Sequence, residues 1–106
     1  MNTQTSLAQE LIQGDANIRR NFGIEVLSAH QGVCELELVV THDWVNGAGF
    51  THGSVAYAMM DSACAYACGS LDVLGLTTSG NVTYVRGTTA GVRIKAKAKV
   101  VSQSRR

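Results

Sequence analysis

One carboxylate stands out among the residues that could do chemistry, because it lies inside an apolar run. Asp61 interrupts residues 55–68, where Cys and Tyr side chains are the only other ionisable groups. The run is rich in Ala and has no Gly or Pro, which predicts a helix. A carboxylate in an apolar setting is costly unless it is paired or used. Asp61 is therefore the candidate nucleophile or general base, the alternative being a structural bond to a nearby hydroxyl.

The loop before this predicted helix offers a second chemical feature. It runs from Asn46-Gly to Phe50-Thr-His-Gly-Ser. We predict Thr51 as the helix cap, which leaves the amides of residues 52–54 without helical acceptors. Such an end attracts an anion or a polarised carbonyl oxygen, and Gly53 permits a close approach because it has no Cβ.

Two polar residues of this loop have alternative interpretations. Asn46 is either a turn former or a hydrogen-bond donor to a nucleophile, carbonyl or water. His52 is either an acid or base or, as we favour, a residue that supports the loop. His52 and Asp61 would be roughly 12–14 Å apart on nearly opposite sides of a helix. If they cooperate, a two-fold dimer with antiparallel helices would bring Asp61 to the partner's helix start.

The elements that must position these residues follow from periodicity and turn signals. Residues 92–101 alternate apolar side chains with Arg93, Lys95, Lys97 and Lys99. This basic face is either solvated or a site for phosphate groups. We predict, in chain order, an amphipathic helix over 4–22 broken near Gly14, a hairpin of 24–29 and 33–40 turning at Gln31-Gly32, the central helix ending in a left-handed cap at Gly69, and strands over 81–86 and 92–101.

Composition limits the class of protein. At 106 residues we assign 1–106 to a single domain. The net charge of +1 gives no general attraction to nucleic acid or membrane, and the aromatic residues do not interleave with the basic ones. No apolar segment approaches the roughly 20 residues that span a bilayer, and no leader pattern is visible, so we expect a cytoplasmic protein.

Three cysteines are expected to be reduced thiols in apolar surroundings. Cys34, Cys64 and Cys68 include no Cys-x-x-Cys pair. Cys64 and Cys68 share a helix face, but a zinc site normally needs three or four ligands at recognised spacings. We expect no metal.

The motif order resembles one known family. Asn46 is followed after six positions by His52-Gly53, after eight more by Asp61, and then by Asn-Val-Thr-Tyr-Val-Arg at 81–86. This pattern resembles the hotdog-fold acyl-CoA thioesterases of the phenylacetate-pathway (PaaI-like) type. The resemblance is specific over 44–86 and extends over 22–106. It implies an α+β hotdog fold, an antiparallel sheet wrapped around one long central helix, with C-terminal strands missing from this chain.

The resemblance also implies roles for individual residues. The Gly53 amide would polarise the thioester carbonyl, and Asp61 from the partner would attack as nucleophile or activate water. Asn46 would orient the carbonyl or the water, His52 would hold the loop, and Thr77 would help the water.

Other residues would contact the substrate. Trp44, Phe50, Met59 and Met60 are candidates for lining the acyl pocket, although core packing explains them as well. Ser54 replaces the second glycine of the family's His-Gly-Gly, and Arg86 is followed by glycine where the family has proline.

The implied function is hydrolysis of acyl-CoA thioesters to a free acid and coenzyme A, with aryl-acyl groups such as phenylacetyl among the substrates. No cofactor is implied, and the assembly would be a homodimer or homotetramer with a shared site. One alternative is a non-catalytic hotdog module that binds acyl-CoA or a partner chain. Another is a hotdog dehydratase with His52 as base, which the order and spacing fit less well.

Overall fold

The computed structural model describes residues 6–104 and places one long helix against a three-stranded antiparallel sheet. The sheet order is β1-β2-β3, so neighbours in sequence order are neighbours in space. The elements are α1 (Leu7–Gly14), α2 (Ala16–Phe22), β1 (Glu25–His30), β2 (Val33–Val39), a 3-10 turn (His42–Trp44), α3 (Gly53–Gly69) and β3 (Arg93–Lys99). The predicted α+β hotdog architecture is confirmed, as are the break near Gly14, the hairpin and the last strand.

The hairpin forms where its turn residues allow it. Gln31 and Gly32 have φ angles of 51° and 81°, the left-handed region that a tight turn requires. Strand β2 then alternates, with Cys34, Leu36 and Leu38 buried and the intervening side chains more exposed. One face of this sheet therefore forms the core.

The basic face of β3 lies beside acidic residues of β2. The antiparallel register pairs Glu35 with Lys97 and Glu37 with Lys95. Arg93 Nη1 donates to Glu37 Oε1 at 2.8 Å. Cross-strand pairs of opposite charge stabilise a sheet modestly, so this face has a structural role in addition to any contact with a ligand.

Helix α3 is covered on one face by the core. Its residues Val55, Met59, Ala63, Tyr66 and Ala67 are buried together with the sheet residues. On the opposite face Tyr57, Met60, Asp61 and Cys64 are exposed within the described chain. Within residues 6–104 the core therefore covers one face of α3, and Asp61 is exposed.

Helix α1 packs across the end of α3 at a glycine. A Cβ added at Gly69 would lie 3.1 Å from the Ala8 Cα and 3.2 Å from the Ala8 amide nitrogen. The prediction that Gly69 is a left-handed cap is wrong, because Gly69 belongs to the helix and Ser70 caps it in a right-handed conformation. The glycine permits close helix packing instead.

The predicted strand over 81–86 is also wrong for the described chain. No backbone–backbone hydrogen bond in residues 6–104 involves this segment. Tyr84 and Val85 are 57% and 89% exposed. A strand needs a neighbour to satisfy its backbone groups, and the periodicity of a sequence does not supply that neighbour.

None of the helices in residues 6–104 combines the length and apolarity that crossing a membrane would demand.

Candidate active site

The structure brings Asp61 together with Thr77. Asp61 lies in the third turn of α3, and the loop after the helix returns Thr77 to its side. The Thr77 hydroxyl donates to Asp61 Oδ1 at 2.5 Å, across 16 residues of sequence. Asp61 Oδ2 accepts no hydrogen bond from any described side chain. One carboxylate oxygen is thus held while the other is available.

A cavity of about 430 Å³ opens over this pair. Its wall on α3 is a stripe at helical spacing, and its cover is the loop 75–82. The volume falls in the range of small-molecule sites. The helix side chains that line it are Tyr57, Met60, Asp61, Cys64, Ala65 and Cys68.

The start of α3 is capped by His52, which corrects the prediction that Thr51 is the cap. His52 Nδ1 accepts from the Ser54 amide at 3.0 Å and lies 2.8 Å from the Ser54 hydroxyl oxygen. Thr51 instead bonds to Thr88, through its amide to the Thr88 carbonyl at 2.8 Å and through the two hydroxyls at 2.7 Å. Because Nδ1 accepts, the neutral His52 ring carries its proton on Nε2. This geometry gives His52 a supporting role.

The Gly53 amide is left available by this cap. Within residues 6–104 it donates no hydrogen bond, and the cap bonds the Ser54 amide instead. The Tyr84 hydroxyl donates to the Gly53 carbonyl at 3.0 Å, and a Cβ on Gly53 would lie 3.3 Å from that ring. A free amide at the positive end of a helix can bind a developing oxyanion.

Asn46 organises the loop with one end of its side chain. Its Oδ1 accepts from the Ala48 and Phe50 amides at 2.9 and 3.0 Å. The Asn46 backbone bonds to Phe50 and Gly49 as well. The carboxamide nitrogen has no partner among the described residues. Asn46 can therefore form the turn through its Oδ1 and still donate a hydrogen bond through its carboxamide nitrogen, so the two interpretations are compatible.

The predicted catalytic residues divide between two cavities. Asn46, His52 and Gly53 line a second opening of about 630 Å³, together with Phe50 and Arg86. Asp61 and Thr77 line the first, and Met60 is common to both. Within one chain the carboxylate and the helix start therefore do not face the same space.

Two of the predicted substrate residues have other contacts. Trp44 stacks on Phe22, with ring centroids 4.7 Å apart and planes at 15°, and lines neither cavity. This stacking is the core-packing alternative for Trp44. Ser54 is bonded to the His52 ring and lines neither cavity either.

The cysteines are where the sequence interpretation missed a feature of the site. Cys34 is buried as expected, but Cys64 is exposed and, with Cys68, lines the cavity beside Asp61. Burial raises the pKa of the Cys34 thiol to about 11. Partial burial and then the neighbouring Cys68 and Asp61 raise the pKa of Cys64 above its usual value, so it is mainly the neutral thiol near pH 7. The sequence feature that could have indicated this is the four-residue spacing that places Cys64 and Cys68 on one face of the helix that carries Asp61. Across residues 6–104, His, Cys, Asp and Glu form no group of three suited to a metal ion.

Comparison with known proteins identifies the family. The thioesterase superfamily matches residues 48–106, more than half of the chain. The chain belongs to that superfamily. By sequence it is 28% identical over 98 residues to the acyl-coenzyme A thioesterase PaaI of Escherichia coli, covering 92% of this chain and 69% of that protein.

Solved structures agree on the fold of this superfamily member. The E. coli PaaI structure superposes with a TM-score of 0.85 at 24% identity, covering 92% of this chain and 75% of that one. The structure of a mutant of the phenylacetic acid degradation protein PaaI from Thermus thermophilus superposes with a TM-score of 0.80 at 31% identity. The match covers 85% of this chain and 77% of that one. A hypothetical thioesterase from Streptococcus pneumoniae, solved with coenzyme A, superposes with a TM-score of 0.74 at 19% identity. This match covers 82% of this chain and 75% of that one. The chain is PaaI-like.

Proposed function

We propose that this PaaI-like chain hydrolyses acyl-CoA thioesters to a carboxylic acid and free coenzyme A. The observation that carries the proposal is the Asp61 carboxylate, which is hydrogen-bonded to Thr77 inside a cavity of otherwise uncharged side chains. Membership of the thioesterase superfamily supports the reaction class. The similarity to a thioesterase solved with coenzyme A supports the ligand class.

The chemistry needs two groups at one carbonyl. A nucleophile must attack the carbonyl carbon, or a base must activate a water that does so. A hydrogen-bond donor must stabilise the oxyanion that develops on the carbonyl oxygen. Asp61 Oδ2 provides the first, by taking the proton of an attacking water or by attacking the carbon itself. The Gly53 amide provides the second. The tetrahedral intermediate collapses with expulsion of the coenzyme A thiolate, which takes up a proton. If Asp61 is the nucleophile, water then hydrolyses the resulting acyl-aspartyl anhydride, which releases the acid and restores the carboxylate.

These groups meet only if two protomers share a site. Gly53 and Asp61 are eight residues apart on one helix and line different cavities. An antiparallel arrangement of two α3 helices about a two-fold axis places each Asp61 near the partner's Gly53. Tyr57, Met60 and Asp61 line the first cavity yet stay exposed, so the partner's Gly53 can approach Asp61 there.

A related protein guides the choice of residues to test. Two further structures of the S. pneumoniae thioesterase carry an aspartate-to-alanine or a threonine-to-alanine replacement, at positions 16 residues apart. Asp61 and Thr77 have the same separation. This coincidence makes Asp61 and Thr77 the pair to test first.

The deciding experiment measures release of free thiol from a panel of acyl-CoAs, phenylacetyl and hydroxyphenylacetyl among them. Asp61→Asn is nearly isosteric and removes the charge, so we expect turnover to fall by at least about a thousandfold with folding retained. Asp72→Asn is the matched control, because Asp72 is an exposed carboxylate outside both cavities. Its φ of 60° suits asparagine as well as aspartate.

Two outcomes would contradict the proposal. Near wild-type turnover in Asp61→Asn would remove Asp61 as the catalyst. A folded oligomer that binds acyl-CoA but releases no thiol would instead favour a non-catalytic hotdog module.

A further inference from the structure

The cavity over Asp61 continues along α3 beyond the carboxylate. Cys64 and Cys68 follow Asp61 by three and seven residues on the same helix face and line the same space. At 1.5 Å rise per residue, Cys68 lies roughly 10 Å further along the helix axis than Asp61. The cavity therefore has a direction, from the carboxylate towards the C-terminal end of the helix.

At the Cys68 end of this cavity the loop lies close to the helix. A Cβ added at Gly75 would lie 3.2 Å from Cys68 Sγ and 3.4 Å from Cys68 Cβ. The loop backbone therefore approaches the Cys68 side chain at a residue without a side chain of its own. Beyond this contact the loop 75–82 covers the stripe back to Asp61.

The lining limits the chemistry of an occupant. Cys64, Cys68, Met60 and Ala65 present small or polarisable apolar surfaces. Among residues 6–104, Asp61 is the one charged side chain in the lining, and no Lys, Arg or His contributes to it. A second carboxylate placed here would meet Asp61 without a cation to compensate it.

We propose that this cavity is the acyl chamber and that Cys68, packed against Gly75, sets the length of the acyl group. The inference rests on the proposed thioesterase function. With the thioester carbonyl at Asp61, an uncharged acyl group extends past Cys64 and ends at Cys68. Compact aryl-acyl or short to medium aliphatic groups are accepted, and acyl groups with a terminal carboxylate are rejected.

The first test compares kcat/KM across straight-chain acyl-CoAs of increasing length, with a dicarboxylic acyl-CoA of matched length. Cys68→Leu fills the far end, so kcat/KM for the longest substrates accepted by wild type should fall about tenfold or more, while the shortest change little. Cys68→Ala enlarges the same end and should shift the preference towards longer groups. A length profile that neither variant moves would overturn the inference.

Gly75→Ala tests the contact between the loop at Gly75 and the Cys68 side chain by itself. The added methyl pushes the Cys68 side chain into the chamber, so the length profile should shorten as in Cys68→Leu. Gly14→Ala is the matched control, because no described residue has an atom within 4 Å of a Cβ at Gly14. Equal profiles for the two glycine variants would count against the assignment of the chamber end.

A second measurement does not depend on turnover. Alkylation of Cys64 by iodoacetamide, followed by peptide mass mapping, should be slowed at least fivefold by a non-hydrolysable S-alkyl thioether of coenzyme A but not by desulfo-coenzyme A, which has no thiol to consume the reagent. Buried Cys34 serves as the internal control. Protection without any hydrolysis would support the chamber and refute the proposed catalysis. Equal alkylation with and without the thioether would overturn the chamber even in an active enzyme.

Discussion

At the scale of single residues, the site depends on how each polar atom is used. Asp61 has one oxygen held by Thr77, Asn46 has its oxygen held by two loop amides, and His52 has Nδ1 held by Ser54. In each case the remaining polar atom of the side chain is available to a ligand. Each side chain thus has one atom held by the fold and one open to a ligand, so the structural alternatives for Asn46 and His52 do not exclude a role in the proposed chemistry.

The Thr77 hydroxyl gives a prediction at this scale. Thr77→Val keeps the shape but removes the donor to Asp61, so kcat should fall by roughly 10- to 100-fold, since a hydrogen bond to a charged group contributes about 1.5–3 kcal/mol. Thr77→Ser should recover most of the activity because the hydroxyl remains. Thr83→Val, an exposed threonine outside both cavities, is the control. The role fails if Thr77→Val and Thr83→Val have the same kcat at saturating substrate.

At the scale of elements, α3 carries the site and two glycines determine how closely its neighbours approach. Gly69 lets α1 pack against its C-terminal end, and Gly75 lets the loop approach Cys68. Tyr66 anchors the same end of the helix by donating to Asp15 Oδ2 at 2.7 Å, and burial raises the pKa of its hydroxyl. These contacts hold the C-terminal half of α3, where the proposed acyl chamber ends.

Gly69→Ala tests the packing of these helices. Alanine favours a helix by up to about 1 kcal/mol over glycine, so any net loss of stability reports the clash with the Ala8 backbone. We expect the free energy of unfolding to fall by about 1–3 kcal/mol in urea titrations. Gly14→Ala, which meets no neighbour, should not be destabilised. If the two variants have the same free energy of unfolding, α1 can shift to accommodate the added methyl group without loss of stability.

At the scale of the whole molecule, the division of the candidate catalytic residues between two cavities matters most. A shared site in a dimer predicts complementation between two inactive variants. Asp61→Asn lacks the base, and Asn46→Asp lacks the amide donor while keeping the oxygen that the loop amides need. A heterodimer of the two would contain one intact site and one doubly altered site.

The measurement uses co-expression with two different tags and purification on both. We expect each homodimer to be nearly inactive and the heterodimer to recover about half of wild-type activity, because one of its two sites is intact. Light scattering on the same samples gives their mass. An inactive heterodimer, or hydrolysis by a monomeric wild-type chain, would show that each chain holds its own site.

Local patterns alone predicted much of the fold and selected the candidate site residues. The helices, the hairpin and β3 follow from periodicity and from turn residues such as Gly32, whose effects act over a few positions. Asp61 was selected as the candidate catalytic residue because a charged side chain in an apolar helix is costly unless it is paired or used. The motif order around it predicted the thioesterase family, which the comparison confirmed.

Tertiary structure decided what depends on distant partners. The pairing of Asp61 with Thr77, the use of His52 rather than Thr51 as the cap, and the packing role of Gly69 each depend on segments brought together by folding. Residues 81–86 have the composition of a strand but no neighbour in the described chain to pair with. Sequence by itself determined which residues have the capacity for chemistry, while contacts over long separations decided which of them face the same space, because a side chain's partner is set by packing and not by its own identity.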